Sequence, residues 1–220
     1  MTIDFSIVLE YWPVLLQGLW ITLLFTLTSA LVGSLLGFVL SMLKMSPIRL
    51  LKMPVSLYVE FFRGTPLLIQ LFWIFFCLPL VLGISIAPYV SVLLSLTLFM
   101  GAITCETFRS AQKSIASEQH DACVALGLTP AVKVLYIIFP QTLLRSVPPL
   151  LSNVVSLFKE SALISSVGIA DLMFVGQNIS NSTARPVEFL TAAAVVYFLV
   201  AFPLTRLVGV VESRVLRRYA

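Results

Sequence analysis

The chain has 220 residues, of which 59% are hydrophobic and only 11% charged, with a mean hydropathy of +1.03. Soluble domains carry about 25% charged residues, so a water-soluble globule is excluded and the bilayer must be part of the solvent. The net charge of +4 comes from 14 basic and 10 acidic residues placed at the ends of apolar runs. That is membrane-flanking charge, not a nucleic-acid-binding face.

The first residues, MTIDFSIVLEYWP, hold Asp4 and Glu10 but no Lys or Arg. A secretory signal needs a basic start, so the first apolar run is expected to stay as a span. No charge occurs from Tyr11 to Leu43, which places span one at 14–43. The run from Gly64 to Cys105 is also uncharged and is long enough for two crossings, with Pro79, Gly83 and Pro88 punctuating it. These crossings are predicted at 65–82 and 88–107. Polar residues gather from Glu106 to Lys133, and a fourth span is expected at 142–162. The stretch 163–187 is mixed, and the last span is expected at 188–210. The fold class expected is an all-α integral membrane protein of a single domain, with five crossings and its termini on opposite sides.

Lys and Arg prefer cytoplasmic loops. Lys44, Arg49, Lys52 and Arg63 follow span one. Arg109, Lys113, Lys133 and Arg145 lie around the loop between spans three and four, and Arg214, Arg217 and Arg218 lie in the tail. The opposite side holds Arg185, with Lys159 added if it lies that far out. The N-terminus is therefore expected outside and the C-terminus in the cytoplasm. Cys77, Cys105 and Cys123 show no CxxC spacing, so no metal site and no disulfide framework is expected. His120 is expected at the surface as an ordinary polar residue. Trp12, Trp20 and Trp73 fit an interfacial belt or span packing, and Pro148-Pro149 fits a kink fixed by packing.

The loop at 114–138 interrupts this grease with a helix-forming segment, DACVALGLTPAVKVLYIIFPQ (Asp121 to Gln141). Ala122, Val124, Ala125 and Leu126 favour a short helix, Gly127 suits its C-terminal cap, and Thr129-Pro130 starts a second helix. Small side chains on such a helix suit docking into a groove of another protein. A plain amphipathic connector on the membrane surface has the same composition, and the residues alone leave the two readings even.

Asp121-Ala122-Cys123-Val124-Ala125-Leu126-Gly127, followed by Ile138-Phe139-Pro140, resembles the EAA loop of ABC importer permeases. Two further stretches narrow the resemblance to the polar amino-acid permeases. FFRGTPLLIQLFWIF (Phe61 to Phe75) resembles that family's RGTPLL-x-Q element, and PPLLSNVVSLFKESALISSVGIADLM (Pro148 to Met173) resembles its P-P-L-x-N and K-D-T-S-L segment. The similarity runs from about Gly18 to Glu212. The chain departs from the pattern at Asp121 (for Glu), Cys123 (for Ala), Glu118 (where Gly is common) and KESAL (for KDTSL).

The resemblance implies the type I ABC importer permease fold in a bacterial inner membrane. It implies a second permease subunit, identical or similar, two ATPase subunits on the cytoplasmic face, and a periplasmic or lipid-anchored solute-binding protein that delivers a polar amino acid. Asp121, Ala122, Ala125, Leu126 and Gly127 would form the coupling helix that seats in the ATPase. The sequence contains no phosphate-binding G-x-x-x-x-G-K-[ST] loop, so ATP and Mg²⁺ are expected on the partner, and no catalytic residue or cofactor in this chain. An ion-gradient-driven secondary transporter is the first alternative, disfavoured by the lack of an internal repeat. A scaffold subunit with no path is the second, disfavoured by Lys159 and Glu160 inside an apolar region.

Those two residues carry the substrate-path expectation. Ser146 to Phe158 is too short to cross a ~30 Å core, so span four must run on past Lys159 and Glu160. Ionisable groups at that depth are tolerated where they meet a cavity or each other. Glu160 is a natural counter-charge for an α-amino group, with Ser161 and Asn153 as hydrogen-bonding neighbours. Lys159 is expected to be paired or to snorkel. Arg63 is carried in the set as a residue at the cytoplasmic entry to span two, where headgroup anchoring is the simpler role.

Overall fold

A computed structural model describes residues 4–217. The helices are α1 (Ser6–Glu10), α2 (Trp12–Met45), α3 (Arg49–Gly64), α4 (Leu67–Leu82), α5 (Pro88–Lys113), α6 (Ser117–Ala125), α7 (Pro130–Val167), α8 (Leu172–Thr183) and α9 (Pro186–Arg217). No strand occurs among the described residues. The basic tail residue Arg218 lies outside them, as do the side chains of His120 and Arg217.

Four helices, α2, α5, α7 and α9, are long and apolar enough to cross a membrane. A fifth crossing arises only if α3 and α4 count as one broken span, because the two meet at a bend of 109°. The segment expected as a simple span at 65–82 is α4, which at about 24 Å is short of the ~30 Å core. The fourth apolar region belongs to a longer element than the one expected at 142–162. Helical backbone starts at Pro130, inside the stretch expected as loop, and continues past Glu160 to Val167. Within the mixed stretch 163–187, Gly168 closes α7 and Asp171 caps α8 by accepting the Phe174 N–H at 2.8 Å.

Two helices contain a π turn, at Trp73–Cys77 in α4 and at Lys133–Ile138 in α7. Each precedes a proline, Pro79 or Pro140. A proline ring collides with the carbonyl four residues back. Those carbonyls belong to Phe75 and Tyr136, inside the two π turns, and the widened turn makes room for the ring.

The central helix is α5, the most buried of the crossing helices. It packs along α2, and it also receives α3, α4 and α7. The face of α2 toward it is built of small residues: Ser29, Gly33, Gly37 and Ser41 recur at every fourth position and are all buried. A side chain at Gly33 would lie 2.7 Å from Met100 Cβ. One at Gly37 would lie 2.7 Å from both the Cys105 nitrogen and the Gly101 carbonyl oxygen. Opposite them, the Thr104 hydroxyl donates to the Gly33 carbonyl at 3.1 Å and to its own helix at Met100 O, 2.8 Å. Small residues are the usual means of bringing membrane helices together, because lipid gives no hydrophobic push between helices. The apolar core around this seam includes Phe25, Leu71, Leu96, Met100 and Leu157.

A second seam joins α8 to α2 and α9. Gly18 lies against the Asp171 and Leu172 backbone, and the Leu172 N–H donates to Thr22 Oγ1 at 3.0 Å. Leu15, Leu172 and Phe189 fill the adjoining cluster. The α9 helix packs its N-terminal half on α8 and α7 through Phe189, Ala193 and Val196, while its most apolar window is only 6% buried within this chain.

This packing predicts opposite effects for two glycine-to-alanine changes. Gly37→Ala is expected to cost about 1–3 kcal/mol through overpacking of the seam. Gly209→Ala, on α9 with nothing within 4 Å of the new methyl, is expected to be neutral or to stabilise by up to about 1 kcal/mol through helix propensity. Thermal unfolding of the two purified variants in one detergent measures both; equal melting temperatures would contradict the close seam.

Candidate functional site

The segment after α5 is built to protrude. The α5 helix ends at Lys113, and the Arg145 guanidinium of α7 donates to the Ser114 carbonyl at 2.5 Å, pinning the two ends of the excursion together. Between them α6 stands clear, with Cys123 its one buried side chain among those described. The helix closes in a Schellman turn: the Gly127 N–H bonds to Val124 O at 2.9 Å and the Leu128 N–H to Cys123 O at 3.0 Å. That turn needs a left-handed residue after the helix, and Gly127 supplies φ = +64°. Thr129 then caps the next helix by accepting the Val132 N–H at 3.4 Å, with Pro130 in the first helical position. Both signals read from the residues, Gly127 as cap and Thr129-Pro130 as restart, are present in the backbone.

The surface so presented is apolar where the chain has left its apolar spans. Asp121, Ala122, Ala125 and Gly127 are exposed, and Val124, Leu126 and Tyr136 are 70%, 75% and 76% exposed. Single exposed apolar residues are ordinary, but a cluster on a protrusion closed by a Schellman turn marks a contact surface.

The four residues expected along a substrate path do not form one constellation in this chain. Glu160 is exposed, and neither it nor Lys159 has a side-chain hydrogen bond or ion pair among the described residues. Ser161, its neighbour, is fully buried and its hydroxyl donates to Phe158 O at 2.7 Å. Asn153 is half-buried and donates through Nδ2 to Thr107 Oγ1 on α5 at 2.9 Å. Arg63 is exposed in the last turn of α3, which packs on α2 and α5, and it forms no ion pair with Glu160. Of the four, Glu160 and Arg63 are the two whose side chains make no hydrogen bond or ion pair among the described residues.

Sequence reasoning missed three polar junctions. At one end of the α2–α5 seam, Glu106 accepts from Lys44 Nζ at 3.2 Å and from Arg109 Nε at 2.8 and 2.9 Å, with Arg109 Nη2 also on the same carboxylate. At the α3–α4 bend, the buried Gln70 amide donates to Phe62 O, Thr65 O and Thr65 Oγ1 at 2.8–3.0 Å, tying the first helix's end to the second. At the start of α8, Asp171 meets Thr22 of α2 through Leu172 and lies 3.5 Å from the Tyr197 hydroxyl of α9. The four-residue spacing of Ser29, Gly33, Gly37 and Ser41 was the one available signal for the first junction's seam. The partners of Gln70 and Asp171 lie across bends and helices that no local pattern announces.

Four helices of membrane-spanning length with small-residue seams between them define the class as a multi-pass membrane protein. Residues 29–217 match the family described as "Binding-protein-dependent transport system inner membrane component", and the chain belongs to it. It is 32% identical over 214 residues to the arginine transport system permease protein ArtQ of Bacillus subtilis (strain 168), covering 97% of this chain and 98% of that one. It is also 32% identical to the L-cystine transport system permease protein TcyB of the same organism, covering 96% and 89%. Among solved structures, a crystal structure of an amino acid ABC transporter with histidines superposes with a TM-score of 0.93 at 32% identity, covering 97% of this chain and all of that one. An inward-facing MetNI methionine ABC transporter superposes at a TM-score of 0.72 and 23% identity, a likeness of fold.

Proposed function

We propose that this chain is the permease subunit of an ATP-driven importer of a polar amino acid in a bacterial inner membrane. The observation that carries the reading is α6: a short helix closed by the Gly127 turn, standing clear of the bundle with apolar side chains outward, as a segment that seats in a partner must. Family membership and the amino-acid transport names of the relatives support the substrate class. The partners are two ABC ATPase subunits that bind ATP and Mg²⁺, a second permease subunit, identical or similar, and a periplasmic or lipid-anchored solute-binding protein. This chain itself performs no catalysis.

In this reading the N-terminus faces outward and α6 and the C-terminus face the cytoplasm. The basic residues support it, since Lys44, Arg49, Lys52, Arg109 and Lys113 gather at one end of the bundle with α6. ATP-driven approach of the two ATPases moves Asp121, Ala122, Ala125, Leu126 and Gly127 as a rigid unit. Because α7 starts at Pro130, two residues after the Schellman turn, and runs unbroken to Val167, displacement of α6 is transmitted along a single helix to Glu160. Glu160 is the direct ligand for the α-amino group. Ser161 and Asn153 shape and brace the wall beside it, and Arg63 lies at the bend into α4.

Three outcomes are expected. A periplasm-dependent reporter fused after Ala220 gives no signal; strong activity there would reverse the orientation. Gly127→Asp leaves the permease inserted, since no atom lies within 4 Å of the new Cβ, at a conformational cost of about 1 kcal/mol. It nevertheless loses the ATPase on co-purification, and wild-type retention with wild-type uptake would reduce α6 to a connector. Glu160→Gln assembles normally and keeps basal ATP hydrolysis, but amino-acid uptake in proteoliposomes falls by at least about tenfold, the loss of one charge-assisted hydrogen bond. Uptake at the wild-type rate and apparent affinity would move the path elsewhere.

A further inference from the structure

Beside the α2–α5 seam lies a cleft of about 400 Å³ that the transport reading does not use. Lys44, Lys52, Arg109 and Lys113 line it, from three different helices, together with Met45 and Gln112. Glu106 is bonded to Lys44 and Arg109, so one carboxylate stands against four cations. Lys52 and Lys113 are exposed and have no ion pair among the described residues. Like charges held around a cleft are unfavourable unless an anion lies among them.

The cleft has a neighbour of opposite character. A groove of about 340 Å³ shares Met45 and Gln112 with it, and its other walls include Phe38, Met42, Phe108 and Phe139. The two form one bipartite site, cationic at one end and apolar at the other. Its level in the bilayer follows from helix length. At about 51 Å, α2 exceeds the ~30 Å hydrocarbon core, so the turn that carries Lys44 and Met45 falls in the headgroup region. The adjoining α3 carries Leu50, Met53, Leu57 and Phe61 on one exposed stripe, a face suited to acyl chains, with Lys52 directed into the cleft.

We infer that this bipartite cleft binds an anionic phospholipid, its phosphate among Lys44, Lys52, Arg109 and Lys113 and an acyl chain against Phe38, Met42 and Phe139. A soluble anion would satisfy the cations and leave the apolar groove unexplained. The groove is also walled by Val134 and Ile138, from the π turn that follows the protruding loop. A bound lipid would therefore brace the base of the α6 loop against α2, which makes the site one that couples membrane composition to loop position. The binding itself does not depend on what the protein transports.

Native mass spectrometry of the full-length protein in detergent, titrated with dioleoyl phosphatidylglycerol or dioleoyl phosphatidylcholine, tests it. Wild type is expected to retain phosphatidylglycerol in preference. Lys52→Gln/Lys113→Gln, which leaves the Lys44–Glu106–Arg109 junction intact, is expected to lose that preference by roughly 30-fold, two surface cations' worth. Met42→Trp, which fills the groove without touching a charge, is expected to weaken binding of the same lipid while leaving any inorganic phosphate binding unchanged. Equal retention of both lipids by wild type, or a double variant that still prefers phosphatidylglycerol, would overturn the proposal. So would displacement of the lipid by millimolar inorganic phosphate, which would make the cleft a site for soluble anions.

Discussion

The bundle depends on how closely two backbones approach, α2 and α5 at Gly33, Gly37 and Gly101. In lipid, exposed apolar side chains are already solvated, so helices associate through packing contact and interhelical hydrogen bonds, not through exclusion of water. Removing side chains from α2 at every fourth position lets Thr104 reach across to the Gly33 carbonyl. With α5 fixed in this way, α3, α4 and α7 each have a surface on which to pack. The Glu106 junction locks the same pair of helices at the end where the bundle meets polar surroundings, holding two cations with one carboxylate at low exposure.

The mechanical logic rests on what is rigid and what is not held. A Schellman turn closes the C-terminal end of α6, and a guanidinium–carbonyl bond ties together the ends of the excursion that carries it. The α7 helix absorbs Pro140 in a π turn and keeps going, so the restart at Pro130, just after the α6 turn, and the carboxylate at Glu160 belong to one continuous element. At the other extreme, the most apolar window of α9 is little covered by its own chain.

How the 109° bend arises shows the limit of local reading. The residue before a proline avoids the helical region, so α3 has to end ahead of Pro66, and Thr65 and Pro66 are both extended. The bend is held by Gln70, whose amide donates back to Phe62 and Thr65 and so ties the second helix to the end of the first. Nothing in the spacing of apolar residues distinguishes this from a straight span, since both alternatives leave the run uncharged.

The sequence by itself determined the solvent, the all-helical class, the family and the punctuation of the protruding loop. Each of these is set by local quantities: the length of uncharged runs, the φ that only Gly127 tolerates comfortably, and the side-chain oxygen of Thr129 placed three residues before a free N–H. Tertiary structure decided which of the candidate path residues are free. Asn153, Ser161 and Glu160 sit within three turns of one helix and read alike as polar residues in an apolar region. Their fates diverge because the direction each points is fixed by packing against α5 and by the tightening of the helix at Ser161. Asn153 is thereby given to Thr107, Ser161 to its own backbone, and Glu160 is left open. A periodic pattern gives the face of a helix, but the partner on that face comes from another part of the chain, and only the folded arrangement supplies it.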